Sequence, residues 1–181
     1  AIEAAEALVG EDGGQDLERL RVKRLLIKDG GVLDSEVVHG LVLPKSRMDM
    51  ASVADTDGGR IAIIDGGMES PKLDLEASIE VTSAEALRGF HERARERMRE
   101  QVDLLVSIDV DLLVVRDGIA EEVSTMLTDA GITAYRRYER EDLERLARIT
   151  GSAMVRDAKR IKGESIGTYS SRSECSYSGV K

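Results

Sequence analysis

Residues 110–155 read VDLLVVRDGIAEEVSTMLTDAGITAYRRYEREDLERLARITGSAMV. Three short apolar runs lie in this stretch: Val110–Val115, Ile132–Tyr135 and Ala153–Val155. They are bounded by breakers and mostly rich in branched side chains, which is the pattern of buried strands. Between them, Ile119–Ala130 places Ile119, Val123, Met126 and Leu127 at helical spacing and stops at Gly131, and Glu141–Thr150 stops at Gly151. A glycine just past the last periodic residue marks a helix end. Parallel strands need crossovers of about a dozen residues, so the stretch predicts βαβαβ and an α/β fold.

Upstream, Thr82-Ser83-Ala84-Glu85 has the spacing of a capping box. Leu87, Phe90, Ala94, Met98, Val102 and Leu105 follow on one helical face, with Arg88, Glu92, Arg95, Glu96, Arg99 and Glu100 opposite. A helix of about 24 residues is a rod of roughly 36 Å, long enough to outrun the body of a small domain. Further apolar runs at Ile61–Asp65, Val37–Leu43 and Val22–Ile27 predict three more strands, with Asp29-Gly30-Gly31 as a turn. Leu73–Val81 reads as extended. At the ends, Ala1–Val9 reads as the tail of a helix closing at Gly10. Thr168–Lys181, rich in Ser and Tyr, reads as disorder or as a return strand whose partner lies elsewhere. The expectation is a piece of something longer.

Composition narrows the function. The 181 residues carry 35 acidic against 26 basic side chains, a formal charge of −9. That balance argues against nucleic acid, whose phosphates reward basic faces. Only seven of the basic residues are lysine. An acidic, lysine-poor surface suits a salt-rich cytoplasm, where carboxylate repulsion is screened. No apolar run approaches the ~20 residues of a membrane helix. One cysteine, Cys175, excludes an internal disulfide. With five aromatic residues, the core is aliphatic.

No catalytic constellation stands out. Asp65-Gly66-Gly67 follows a strand but lacks a phosphate-loop pattern and reads as a turn. Asp109 and Asp111 sit at a strand's beginning, whereas ligands of α/β sheets gather at carboxyl ends. Asp117 does sit at such an end and reads as a helix cap. His39, inside an apolar run, reads as a structural histidine, and His91 as exposed. The opposite face of the Ile119–Ala130 helix presents Glu121, Ser124, Thr125 and Thr128.

Three motifs, taken in order, resemble a known family. They are Asp111-Leu112-Leu113-Val114-Val115-Arg116-Asp117-Gly118-Ile119, Ala130-Gly131-Ile132-Thr133-Ala134-Tyr135-Arg136-Arg137, and Asp142-Leu143-Glu144-Arg145-Leu146-Ala147-Arg148-Ile149-Thr150-Gly151. Together they resemble the apical domain of group II chaperonins, the archaeal thermosome and its relatives. Gly30–Leu43 is similar to that family's GGxxxDSxLxxGxVxxK, and Ile61–Asp65 to its KIALL strand. The resemblance implies a chaperonin apical-like swivelling β/β/α domain with a protruding helical lid segment, in a divergent, haloarchaeal-type member. Residues 1–26 would be a stub of the intermediate domain, 27–167 the apical domain, and 168–181 the return toward the intermediate domain. The lid segment would include Leu73, Leu75, Ile79 and Val81. Substrate-binding residues would be Leu87, Phe90, Glu121, Ser124, Thr125 and Thr128, and hinges Gly30, Gly31, Gly163 and Gly167. The implied partners are unfolded proteins and sibling subunits of a cytoplasmic double ring. ATP and Mg belong to the parent assembly, since the GDGTT-type phosphate loop is absent here. The competing expectation is a small metal-dependent α/β enzyme using Asp65 and Asp117. A third is a swivelling module with no ligand of its own.

Overall fold

A computed structural model describes residues 1–6, 25–26, 31–43, 55–69 and 84–174, the side chains of 84–87 excepted. The elements are α1 (Ile2–Glu6), β1 (Gly59–Ile64), α2 (Ala84–Ser107), β2 (Leu112–Val115), α3 (Glu121–Asp129), β3 (Thr133–Tyr135), α4 (Arg140–Thr150), β4 (Met154–Val155) and β5 (Gly167–Tyr169). Short 3-10 turns cover Val32–Asp34, Ala158–Arg160 and Gly163–Ser165.

The strands form one sheet in the order β3-β2-β1-β4, with β5 also on β1. β1 pairs in parallel with β2, Ile61 opposite Leu112 and Ile64 opposite Val115. β4 joins the C-terminal half of β1 in parallel, and β5 runs antiparallel along its N-terminal half. The predicted βαβαβ unit is therefore present from β2 to β4.

Side chains of successive strand residues point to opposite faces, and both faces here are covered. Ala62, Ile64, Leu113 and Val115 pack with Met98, Val102 and Leu105 of α2 and Val123 and Leu127 of α3. Ile61, Ile63, Leu112 and Val114 pack with Tyr135, Tyr138 and Leu143 and Leu146 of α4. This double cover explains why β1 and β2 read as unbroken apolar runs rather than alternating ones. Burying each Leu or Ile fully is worth about 1.5–3 kcal/mol, and Ile61, Ile63, Ile64, Leu113, Leu127 and Leu143 are all buried to that degree. Gly151 ends α4 in the left-handed region at φ 69°, where glycine carries no Cβ penalty.

Four expectations are corrected. Val37–Leu43 is not a strand. Leu41 and Leu43 do pack on the α4 side of the sheet, but the run has no ladder partner among the described residues, and apolarity alone does not make a strand. His39, within it, is exposed rather than a core histidine. The helix expected from Glu141 starts at Arg140, and its cap position, Glu139, makes no side-chain cap bond. Finally, the return strand has its partner within the chain. β5 bonds to β1, and Thr56 and Arg172 extend that pairing with reciprocal backbone bonds of 2.9 and 3.0 Å. The boundary expected between 167 and 168 falls inside β5. The strand expected at Val22–Ile27 and the extended run at Leu73–Val81 fall outside the described residues, except that Leu25 and Leu26 form no regular element.

Candidate functional site

α2 leaves the carboxyl end of the sheet's strands and returns to their amino end, since it connects parallel neighbours β1 and β2. Its 24 residues span about 36 Å. The core-facing positions Ala94, Met98, Val102 and Leu105 are all buried, but from Arg88 to Arg93 no side chain is buried. The described side chains of α2 before Ala94 thus contribute nothing to the buried core. Phe90 is partly exposed there and meets His91 edge-on, with ring centroids 6.1 Å apart. Leu87 lies in the first turn of α2.

α3 starts beside the His91–Arg95 stretch of α2. Just past the carboxyl ends of β1 and β2, Met68 and Ile119 form a parallel bridge, and α3 follows at Glu121. Glu121 and Glu122 occupy its first turn, where the helix dipole favours negative charge. Val123 and Leu127 anchor α3 in the core, and Met126 packs partly against it. Outward, Glu121 and Thr125 are exposed and Ser124 and Thr128 are half-buried. The Thr125 hydroxyl donates to the Glu121 carbonyl at 3.1 Å, and the Thr128 hydroxyl to the Ser124 carbonyl at 3.0 Å. Those protons are spent inside the helix, so the Thr125 oxygen faces outward as an acceptor.

An open cleft of about 440 Å³ separates the two helices, lined by His91, Ala94, Arg95, Ala120, Glu121 and Glu122. Arg95 spans it to Glu122 at 3.5 Å. Of the residues expected to bind substrate, Glu121 lines this cleft; Phe90 lies one turn before Ala94 on α2, and Ser124, Thr125 and Thr128 lie further along α3. His91, Arg95 and Glu122 were not singled out by sequence reasoning. Nothing local signals them, because the cleft exists only once α3 docks beside the middle of α2.

The carboxylates of the competing enzyme reading, Asp65 and Asp117, do meet at the strand ends, but Arg116 stands between them. Its guanidinium bonds Asp65 at 2.6 Å and grips Asp117 at 3.1 Å through both oxygens. Arg140 approaches Asp65 from the other side at 3.8 Å. The hydrogen bonds from Arg116 hold the Asp117 carboxyl below the ordinary aspartate value, outweighing the opposing effect of burial. Asp117 in turn raises the Arg116 guanidinium. A divalent ion would have to displace an arginine already paired with both groups. Among the described residues no three histidine, cysteine or carboxylate side chains are grouped to hold a metal. Nor does the Asp65–Gly67 turn open a helix. It leads instead to the Met68 bridge, so these residues do not fit a nucleotide–Mg site.

Of the proposed hinges, Gly31 donates its backbone N–H to Asp34 at 2.6 Å in an exposed turn, and Gly163 opens an exposed 3-10 turn. Gly167 is different. It is buried in β5, and a methyl group there would lie 2.5 Å from the Thr150 carbonyl oxygen and 2.7 Å from the Ser152 nitrogen. Close packing, not freedom of rotation, accounts for glycine at 167. Gly30 and the lid positions Leu73, Leu75, Ile79 and Val81 lie outside the described residues.

Along residues 1–181 the sequence matches the TCP-1/cpn60 chaperonin family. The chain belongs to that family. Thermosome subunit 1 of Haloferax volcanii is 32% identical over 160 residues, covering 88% of this chain and 28% of that protein. Thermosome subunit beta of Thermococcus kodakarensis is 30% identical over 171 residues, covering 92% of this chain and 31% of that one. Among solved structures, the open-state monomer of a group II chaperonin from Methanococcoides burtonii shares the fold. Its TM-score is 0.66 and its identity 23%, over 83% of this chain and 31% of that one. A group III chaperonin in the open state matches with a TM-score of 0.61 at 17% identity, over 73% of this chain and 27% of that one. The resemblance to group II chaperonins read from the three motifs holds, as does the chaperonin-type α/β fold. This chaperonin chain spans about three-tenths of the length of the curated relatives it matches.

Proposed function

We propose that this chaperonin chain is the apical, client-capturing part of an ATP-driven folding machine, and that its overhanging helix bears the lid. The observation that carries the reading is the exposed stretch of α2 before Ala94, with half-exposed Phe90 on it, facing α3 across an open cleft. Non-native chains expose apolar surface that their native states bury, and a partly apolar overhang gives such surface a place to land. Leu87 and Phe90 supply apolar contact, and Glu121, Ser124, Thr125 and Thr128 supply polar selection. Leu73, Leu75, Ile79 and Val81 would continue the lid. Gly30, Gly31 and Gly163 would be the points about which the domain swivels on its intermediate domain. Nucleotide and Mg would be held elsewhere in the parent protein, whose sibling subunits would complete a cytoplasmic double ring.

The test is suppression of aggregation of a chemically denatured protein diluted into solutions of this chain. The unmodified chain should slow the rise in light scattering. The double substitution Leu87→Ser with Phe90→Ser should weaken that effect while leaving the circular dichroism spectrum unchanged. Equal suppression by the folded double variant would remove the overhang from the reading.

A further inference from the structure

The capture cleft is not neutral in what it offers. α3 carries Glu121, Glu122 and Asp129 and no lysine or arginine. Arg95, on the α2 wall, is held by Glu122 at 3.5 Å. Glu121 lines the same cleft and has no cation within ion-pair distance among the described residues. One turn further along α3, exposed Thr125 has given its proton to the Glu121 carbonyl and presents only lone pairs. Both neighbours therefore accept hydrogen bonds and neither donates one. Beside them, Ala94 and Ala120 line the cleft, and Phe90 lies one turn before Ala94 on α2.

Resting on the capture reading above, we propose that this cleft selects non-native segments in which lysine or arginine flanks an apolar side chain, with Glu121 as the selecting residue. The apolar side chain contacts the alanine-lined surface and Phe90. The cation pairs with Glu121, and a further N–H of the segment reaches the Thr125 oxygen. Acidic flanks would meet an uncompensated carboxylate and are disfavoured. Glu121 is a solvent-exposed group, so the discrimination is modest: an exposed ion pair corresponds to roughly a two- to fivefold difference in Kd. Because the pair is solvent-exposed, salt screens it, and the difference shrinks as the screening length falls to about 3 Å near 1 M.

The experiment measures fluorescence anisotropy of two fluorescein-labelled peptides with the full chain. Both carry the same Leu and Phe residues on Gly-Ser spacers, and one is flanked by lysine, the other by glutamate. The lysine peptide should bind roughly two- to fivefold tighter at about 0.15 M salt. Glu121→Gln should remove the difference, and Glu121→Lys should reverse it. Circular dichroism confirms that each variant folds, and Glu121→Gln, which keeps the side chain's size, serves if Glu121→Lys does not. If a preference for lysine survives in Glu121→Gln, or the glutamate peptide binds the unmodified chain as well or better, the selection is overturned while capture stands. If neither peptide binds the unmodified chain, the capture reading is overturned, and this inference with it.

Discussion

Arg116 shows how one side chain changes the reading of a site. Asp65 and Asp117 at neighbouring strand ends look like metal ligands in the linear chain. In the fold they are the two anionic ends of an arginine clamp. The clamp makes a titration prediction. A carboxyl held below its ordinary value contributes stability above about pH 4 and loses it as pH falls through the lowered value. Asp117 should therefore titrate, by carboxyl-carbon NMR, below an unperturbed aspartate, and Arg116→Ala should bring it back up. The same substitution strips the short hydrogen bond from Asp65, whose side chain is only 9% exposed, and should cost about 1–3 kcal/mol in urea unfolding. Tyr138 titrates at the other extreme. Burial, aided by nearby Tyr135, Asp142 and Glu174, pushes its phenol above the ordinary value. Below about pH 10 both folded and unfolded forms keep the proton. Above it the unfolded chain ionises first, so stability falls as pH rises. Tyr138→Phe should flatten that alkaline loss. Two glycines separate packing from freedom. Gly167→Ala, pressed against Thr150 and Ser152, should lose about 1–3 kcal/mol. Gly163→Ala, with nothing within 4 Å, should change stability by no more than about 0.5 kcal/mol.

α2 is one helix with two environments. Its period was plain in the sequence, with apolar residues every three or four positions from Leu87 to Leu105. Where along that stripe the core stops was not, because the stripe looks the same inside and outside the domain. Packing draws the line at Ala94. Backbone amides protected by buried side chains open only with larger unfolding events, whereas an overhanging turn frays locally. Native-state hydrogen exchange should therefore show strong protection from Ala94 to Leu105 and markedly weaker protection across 88–93. Uniform protection along the whole helix would contradict an overhang. α3 carries the opposite lesson. Its apolar and polar faces were both legible, and the fold places Val123 and Leu127 inward and Glu121 and Thr125 outward as their spacing demands. The commitment of the threonine hydroxyls to the helix itself was not legible, because it follows from rotamers rather than residue type.

For the molecule as a whole, the −9 charge sets the solution behaviour. Carboxylates crowding a small surface repel one another, and added salt screens that repulsion. The urea midpoint should rise as KCl is increased from about 0.1 M to 2 M, where the screening length falls below about 3 Å. A midpoint that stays level would sink the reading of a salt-adapted surface. The family assignment also belongs here. It was legible because three motifs recur in fixed order along the strand–helix alternation, and order along a chain is a property of sequence. The expected strand at Val37–Leu43 was misread because a strand needs a partner, and an isolated run does not reveal whether one exists.

Periodicity and composition were enough to dictate an aliphatic α/β domain with parallel strands, a long amphipathic rod and an acidic surface. Each follows from local spacing and side-chain chemistry. Only the packed chain decided that the aspartates at 65 and 117 are clamped and that the return segment pairs with β1. It alone decided that the buried stripe of α2 starts at Ala94, and that Glu121 faces a cleft beside an already paired Arg95. Those facts join residues tens of positions apart, and a contact of that kind comes into being when the elements dock.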